Sequence, residues 1–420
     1  EESLNWESTQ NIFIEGDNLE VLKLLQESYI NKIKFIYIDP PYNTGSDFIY
    51  RDNFTLGKTQ YAKKSGQMDQ EGNRLVQNTE YNGRYHSDWL TMIYPRLKLA
   101  RNLLAEDGVM LISIDDNEIH NMRRICDEIF GERNFVTNLI WRKSKGSGND
   151  SKYVMVETEY ILLYAKNIEN LKFNNKLVDT ENGKYPYKDE YFKERGGYNL
   201  EKLDRGSKGY VETLDFGIEA PDGTFVFPNG RKEKYNDGWR WVWSKSKVEW
   251  GIKNGYIVFK KGNGNRWNVY YKNYAKVDNE GNPIVRTKLY KNHIGFEETI
   301  LNIQANHEMK RLFGNAYFSY PKPTSLLKYL INMFCLENEI ILDFFAGSAT
   351  TAHAVMQLNA EDGGNRRYIM VQLPEPCTED SEAYKAGYKN IAEIAKERIR
   401  RAGKKIKEET GADIDYGFRV

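Results

Sequence analysis

The sequence predicts an α/β fold that carries an inserted strand-rich domain. Three observations support this. Short apolar runs alternate with segments of helical apolar spacing over residues 1–170, and the same style returns over 317–420. Between them, 171–316 is rich in Tyr, Trp, Asn, Gly and Lys, with hairpin-type turns at Pro221-Asp222-Gly223 and Gly262-Asn263-Gly264. The expected organisation is a first α/β part (1–170), an insertion (171–316) and a second α/β part (317–420).

In chain order, strands are expected at Asn11–Glu15, Ile33–Asp39, Val109–Ile114, Val136–Trp141 and Tyr160–Lys166, where four to eight mostly apolar residues run together. Leu19–Ser28, Trp89–Leu104 and Glu118–Phe130 have the spacing of amphipathic helices. After the insertion come a helix (Thr324–Phe334), a strand (Ile340–Phe344), a glycine turn, a helix (Thr350–Leu358), a strand (Tyr368–Leu373) and a charged helix near 385–408. The polar stretch 55–85 has no periodicity and is long for a loop, so it is expected to be a lid or disordered.

Composition bounds the function. The chain has 420 residues, 40% hydrophobic and 29% charged, and no apolar run of the roughly 18 residues a membrane helix needs, which points to a soluble, cytoplasmic protein. The acidic, polar start lacks an initiator Met and a signal peptide, and the final YGFRV reads as a strand cut short, so the chain is expected to be a piece of a longer one. Cys126, Cys335 and Cys377 are far apart without a CxxC, and the five His form no cluster with them. Buried thiols in a reducing compartment are expected rather than disulfides or zinc. Gly57-Lys58-Thr59 ends like a P-loop, but Asp52 stands where its first Gly is required.

The sharpest motif is FIYIDPPYNTGSDFIY, residues 35–50. An apolar strand delivers Asp39 at its end, Pro40-Pro41 halts the sheet, and Tyr42 precedes an Asn43-Thr44-Gly45 turn. A carboxylate, a proline carbonyl and an aromatic ring are thereby gathered at the edge where open α/β sheets bind ligands. The two oxygens can accept both hydrogens of an exocyclic amine while the ring stacks on its base. A second motif, EIILDFFAGSATTAHAVM (339–356), ends a strand at Asp343 and turns through Phe344, Ala346, Gly347 and Ser348 into a helix. Gly347 allows close backbone approach, and the helix start offers N–H groups to an anionic ligand. Asp115-Asp116 reads as a strand-end turn rather than a metal pair.

These residues resemble the amino-group DNA methyltransferases, whose motif is (D/N/S)PP(Y/F/W); the wider string is similar to the modification subunits of Type III restriction systems. The resemblance implies a permuted Rossmann-like sheet that takes S-adenosyl-L-methionine, with Asp39, Pro40, Pro41 and Tyr42 as the catalytic set. Asp at the first position is typical of adenine-N6 enzymes. The glycine loop resembles DxFxGSGT, with Ala349 where a second Gly is usual, and implies cofactor contacts from Asp343, Phe344, Ala346, Gly347 and Ser348. Tyr320-Pro321-Lys322-Pro323-Thr324-Ser325 resembles the segment that holds the cofactor's methionine end, which implicates Lys322, Thr324 and Ser325. Ile14–Asn18 resembles the piece at the cofactor's adenine, through Asp17, although Asp17 is equally an N-cap. Glu375 follows a strand where an acid can bind ribose hydroxyls.

The order of these pieces matches the β group of that family, and the resemblance spans the chain except about 171–316. No metal is implied. Double-stranded DNA, a restriction subunit and a second copy of the chain are the expected partners. Cytosine-N4 methylation and a catalytically idle specificity subunit are the alternative readings.

The formal net charge is zero, with 60 Lys+Arg against 60 Asp+Glu, but it is unevenly spread. Residues 231–276 hold twelve Lys/Arg and three Asp/Glu, a net of +9. Phosphate contacts are expected from Arg231, Lys232, Lys234, Arg240, Lys245, Lys247, Lys260, Lys261 and Arg266, which makes 171–316 the expected target-recognition domain. Trp239, Trp241 and Trp243 alternate and are expected to share a core face.

Overall fold

The computed structural model describes residues 2–45, 48–50, 75–77, 85–146, 153–178, 180, 183–296 and 300–420. The expected lid and the P-loop-like Gly57-Lys58-Thr59 lie outside the described residues apart from a ribbon in which Phe48–Tyr50 pairs antiparallel with Leu75–Gln77. The chain divides into two compact units, one formed by Glu1–Asn174 with Tyr290–Val420 and one by Asn175–Leu289.

The first unit begins with strand β1 (Ile12–Glu15), helix α1 (Asn18–Tyr29) and strand β2 (Ile33–Ile38). Helix α2 (Tyr85–Leu103), strand β3 (Leu104–Ile114), helix α3 (Ile119–Phe130), strand β4 (Phe135–Arg142) and strand β5 (Thr158–Ala165) follow. Strand β3 starts five residues earlier than the apolar run suggested. It slips register against β2 between Ile33 and Phe35, beside Gly108, where a Cβ would meet the Ile33 carbonyl at 2.9 Å.

The second unit is built on a three-stranded antiparallel sheet, β6 (Tyr198–Lys202), β7 (Ile257–Lys261) and β8 (Trp267–Tyr274), in the order β7-β8-β6. Helix α4 (Lys245–Lys253) packs on it, capped by the Ser244 hydroxyl. Its core includes Trp241, Trp243, Tyr256, Val269 and Tyr274. Trp241 and Trp243 are buried as the alternation predicts, but Trp239 is half-buried against Gly206.

The chain re-enters the first unit through strand β9 (His293–Ile294) and helices α5 (Asn302–Phe313) and α6 (Thr324–Asn332). Strand β10 (Ile340–Asp343), helix α7 (Thr350–Asp362), strand β11 (Arg367–Gln372) and helix α8 (Ile391–Thr410) complete it. This corrects the expected end of the insertion. Residues 290–316 belong to the α/β unit, because His293 and Ile294 pair with Ile140 and Trp141 in its sheet, and Trp141 Nε1 donates to the Ile300 carbonyl (2.8 Å). Composition alone does not reveal a two-residue strand that finishes a sheet edge.

The eight strands lie in the order β1-β11-β10-β2-β3-β5-β4-β9, all parallel except β5. Side chains alternate across the sheet. Phe35 and Tyr37 join the core under α6, α7 and α8, whereas Ile36 and Ile38 join the core under α1, α2 and α3. The sheet is thus buried on both faces, as parallel sheets are. From β2 the chain winds towards β3, and from β10 it winds the other way to β11. The adjacent pair β2–β10 is therefore the topological switch point, where a crevice opens at the carboxyl ends of the strands.

Candidate active site

Asp39 and Asp343 end, or follow, the two strands at that switch point. Asp343 is buried and accepts hydrogen bonds from Thr351 Oγ1 (2.6 Å) and the Phe345 N–H (3.1 Å). Burial pushes its carboxyl up to about 7, more than these donors pull it down. The chain then turns through Gly347, at φ 51°, where a Cβ would press on the Phe318 ring at 3.2 Å. The Gly347 N–H donates to Gln372 Oε1 (2.6 Å). Ala349, the N-cap of α7, is left-handed (φ 59°, ψ 41°), so an L-residue stands where glycine is at ease.

Arg398, fully buried on α8, fastens this loop. One guanidinium nitrogen donates to Ser348 Oγ (2.8 Å) and Thr350 Oγ1 (2.7 Å), and the other reaches Glu308 (3.4 Å). Glu308 in turn accepts from the Thr324 N–H and hydroxyl. Burial lowers Arg398 to about 10 even with Glu308 nearby. Sequence reasoning missed this chain. Its signal was an arginine inside the apolar stripe Ile391, Ile394, Ala395, Ile399, Ala402.

On the other side of the crevice, Pro40 and Pro41 follow β2, and Trp89 Nε1 donates to the Pro41 carbonyl (2.8 Å), fixing the turn. The Tyr42 hydroxyl donates to Asp39 Oδ1 (2.8 Å) and approaches Glu159 Oε2 (3.2 Å). Lys322 Nζ lies at the centre of the group, 2.9 Å from Asp39 Oδ1, 3.0 Å from Tyr42 Oη and 3.4 Å from Glu159 Oε2. Lys143 holds the other Glu159 oxygen at 3.0 Å. Glu159 arrives here because β5 is the one strand that runs backwards, so its first residues meet the last residues of its neighbours. Burial opposes both charges of the Lys322–Glu159 pair. Asp39 and Glu159 nevertheless hold Lys322 above its ordinary range, while Lys322 and Lys143 hold Glu159 below its own. Burial, with Asp39 and Glu159 beside it, raises Tyr42 well above the usual phenol range and keeps its proton in place.

Two cavities meet at this group. One of about 580 Å³ runs along Asp39, Lys322, Asp343, Gly347, Ser348 and Glu375. The other, about 440 Å³, is bounded by Tyr42, Asp115, Lys143 and Glu159. Asp39, Pro40, Pro41 and Lys322 line both. Asp115 accepts from the Asn117 N–H in a strand-end turn, and no group of three or more His, Cys, Asp or Glu able to hold a metal occurs among the described residues. Cys126 and Cys335 are buried free thiols, and Cys377, half-buried, borders the first cavity.

Of the residues selected from sequence, Asp39, Pro40, Pro41, Lys322, Asp343, Ala346, Gly347, Ser348 and Glu375 line the first cavity, and Tyr42 lines the second. Four do not line either cavity. Asp17 caps α1 through the Leu19 and Glu20 N–H groups and pairs with buried Arg96 (3.3 Å). Phe344 is packed in the core under α1–α3. Thr324 and Ser325 turn towards α5, onto Glu308 and Gln304.

In the second unit, Arg231 is corrected as a candidate phosphate contact. It is buried, and both terminal guanidinium nitrogens grip Asp215 (3.1 Å each). Lys234 and Lys247 pair with Glu212 and Glu280, each at 3.3 Å, and Arg240 is half-buried. Lys232, Lys245, Lys260, Lys261 and Arg266 are exposed, the last three at the β7–β8 hairpin end. Among the described residues no helix is long and apolar enough to cross a membrane.

Comparison with known proteins identifies a family. The DNA methylase family model matches residues 33–381. The chain is 37% identical to the Type III restriction-modification enzyme StyLTI Mod subunit of Salmonella typhimurium, over 98% of this chain and 60% of that protein. It is 34% identical to the EcoP15I Mod subunit of Escherichia coli, over 98% and 65% respectively. The Type II methyltransferase M.KpnI of Klebsiella pneumoniae is 31% identical, over 94% of this chain and 88% of that one. The chain spans 60 to 65% of the length of these Type III relatives. With the matched region running from β2 past Asp39, Lys322 and the Gly347 loop, the chain belongs to the DNA methylase family.

Proposed function

We propose that the protein transfers a methyl group from S-adenosyl-L-methionine to N6 of an adenine turned out of double-stranded DNA, as the modification component of a Type III-like system. The observation that carries this reading is the meeting of two cavities at Asp39 and Pro40. One has the features an adenosyl amino acid needs. The glycine loop leaves backbone close to the cavity where a Cβ would strike Phe318, the start of α7 offers N–H groups, and Glu375 is an acid suited to ribose hydroxyls. The donor, when bound, supplies a sulfonium methyl group. The other cavity has an aromatic wall, Tyr42, on which a flipped base can stack.

The chain's own contribution is to the amine. An adenine amino group has its lone pair delocalised into the ring. Accepting its two hydrogens at the Asp39 carboxylate and the Pro40 carbonyl favours the pyramidal geometry in which that pair is localised. Acceptors fixed before the reaction stabilise the positive charge as it develops on nitrogen. Holding the amine in line with the methyl group supplies much of the remaining rate. No covalent cysteine intermediate is needed.

The exposed basic end of the β7–β8 hairpin, Lys260, Lys261 and Arg266, is the part of the second unit best suited to phosphates, in a target-recognition role. A restriction subunit and a second copy of the chain are proposed as partners on the similarity to Mod subunits. The test is incubation of the full-length protein with tritiated S-adenosylmethionine and unmethylated bacterial DNA, followed by digestion to nucleosides. Label in N6-methyldeoxyadenosine supports the reading, and label in N4-methyldeoxycytidine overturns it.

A further inference from the structure

Lys322 stands out because its environment differs from the one its sequence position suggested. It borders the cavity of the glycine loop, yet its ammonium points into a cluster made by other elements. Asp39 and Tyr42 come from the turn after β2, Glu159 from the start of β5 and Lys143 from the end of β4, with the Trp141 ring 5.9 Å away. Asp115, beyond the end of β3, lines the second cavity with Tyr42, Lys143 and Glu159. Two carboxylates and two ammonium groups balance at the centre of this cluster. Both contacts to Asp39, from Lys322 and from Tyr42, fall on Oδ1. Oδ2 is left as the oxygen with which this carboxylate can take up an amine hydrogen.

We propose that Lys322, anchored by Glu159, is a positioning residue for methyl transfer: it fixes Asp39 through Oδ1 so that Oδ2 is presented to the target amine. This deepens the function proposed above and rests on it. Glu159 is the counter-ion that makes a nearly buried lysine tolerable here, and Lys143 satisfies the second oxygen of Glu159. Without Lys322, Asp39 keeps only the Tyr42 hydroxyl on Oδ1, and Glu159 loses one of the two cations that hold its carboxyl down.

The experiment compares the full-length wild type with Lys322→Met and Lys322→Arg, using unmethylated bacterial DNA and tritiated S-adenosylmethionine at saturation. Wild-type incorporation reports on the methyltransferase reading itself, and the ratios between variants report on Lys322. For Lys322→Met the single-turnover rate is expected to fall about 100-fold, on the scale of misplacing a reacting group by about 1 Å. Cofactor affinity measured by calorimetry is expected to stay within about threefold. The acid limb of the rate profile is expected to move to higher pH, because Glu159 loses one of the two cations that hold its carboxyl down. Lys322→Arg, which keeps the charge, is expected to recover a substantial part of the rate. The proposal is overturned if Lys322→Met loses cofactor affinity while its saturated rate holds, or if its rate falls with the acid limb unmoved.

Discussion

Arg398 on the last long helix donates to Ser348 Oγ at 2.8 Å, so a residue fifty positions downstream sets the shape of the glycine loop. Both partners are buried, and the same nitrogen also holds Thr350. Replacing Arg398 by Met removes three contacts and leaves Glu308 without its cation. The expected cost is about 3 kcal/mol, the scale for breaking a buried charged network. Denaturant unfolding measures that cost, and calorimetry is expected to show weaker S-adenosylmethionine binding as the loop loses its anchor. Unchanged stability and affinity would contradict this account of the loop.

Asp343 gives the fold a pH dependence of defined sign. Its folded pKa of about 7 lies above the ordinary 3.8, so the folded chain binds this proton more tightly than the unfolded chain does. The contribution favours folding fully below the unfolded value and is lost as pH rises through the folded one. At about 1.4 kcal/mol per pH unit, roughly 2 to 3 kcal/mol disappears between pH 5 and pH 8. Asp343→Asn lacks this term. Its stability relative to wild type, from urea midpoints, should therefore improve by that amount over the same interval.

Ala349 carries a left-handed backbone that glycine adopts freely. Ala349→Gly is expected to relieve about 1 kcal/mol of strain, partly offset by the greater freedom of the unfolded chain. A small rise in Tm is the expected reading. Gly347→Ala is the opposite case, because its Cβ meets the Phe318 ring at 3.2 Å and its φ is 51°. That variant should be less stable.

Arg231 and Lys261 are basic residues thirty positions apart with different expected roles. Arg231→Met strands Asp215 inside the second unit and should lower stability by about 3 kcal/mol, as breaking a buried ion pair does. Lys261→Ala and Arg266→Ala, at exposed positions, should leave stability within about 0.5 kcal/mol. Each should weaken DNA binding and flatten its salt dependence by about one unit of slope. Fluorescence anisotropy over a salt series separates the two classes.

Much of the α/β frame was legible because strands buried on both faces read as apolar runs, and amphipathic helices show their spacing directly. Asp39 to Tyr42 was legible because the motif is contiguous. Glu159 and Lys143 were not. Each looks like a polar residue at a strand end, and only the antiparallel course of β5 brings Glu159 back to the others. Lys322 was found as a residue of the cavity it borders, but sequence context does not give the direction of its ammonium. Asp17 shows the converse: a capping position and a ligand position look alike until the hydrogen bonds are seen.

The central claim is that Asp39 and the Pro40 carbonyl activate an adenine amine. It is tested most directly by nucleoside analysis of unmethylated bacterial DNA after incubation with tritiated S-adenosylmethionine and either wild type or Asp39→Ala, with cofactor and DNA binding measured in parallel. The account predicts label in N6-methyldeoxyadenosine for wild type. For Asp39→Ala it predicts a loss of about a thousandfold in rate, with cofactor and DNA still bound. Undiminished transfer by Asp39→Ala, or wild-type label on another nucleoside, would contradict it.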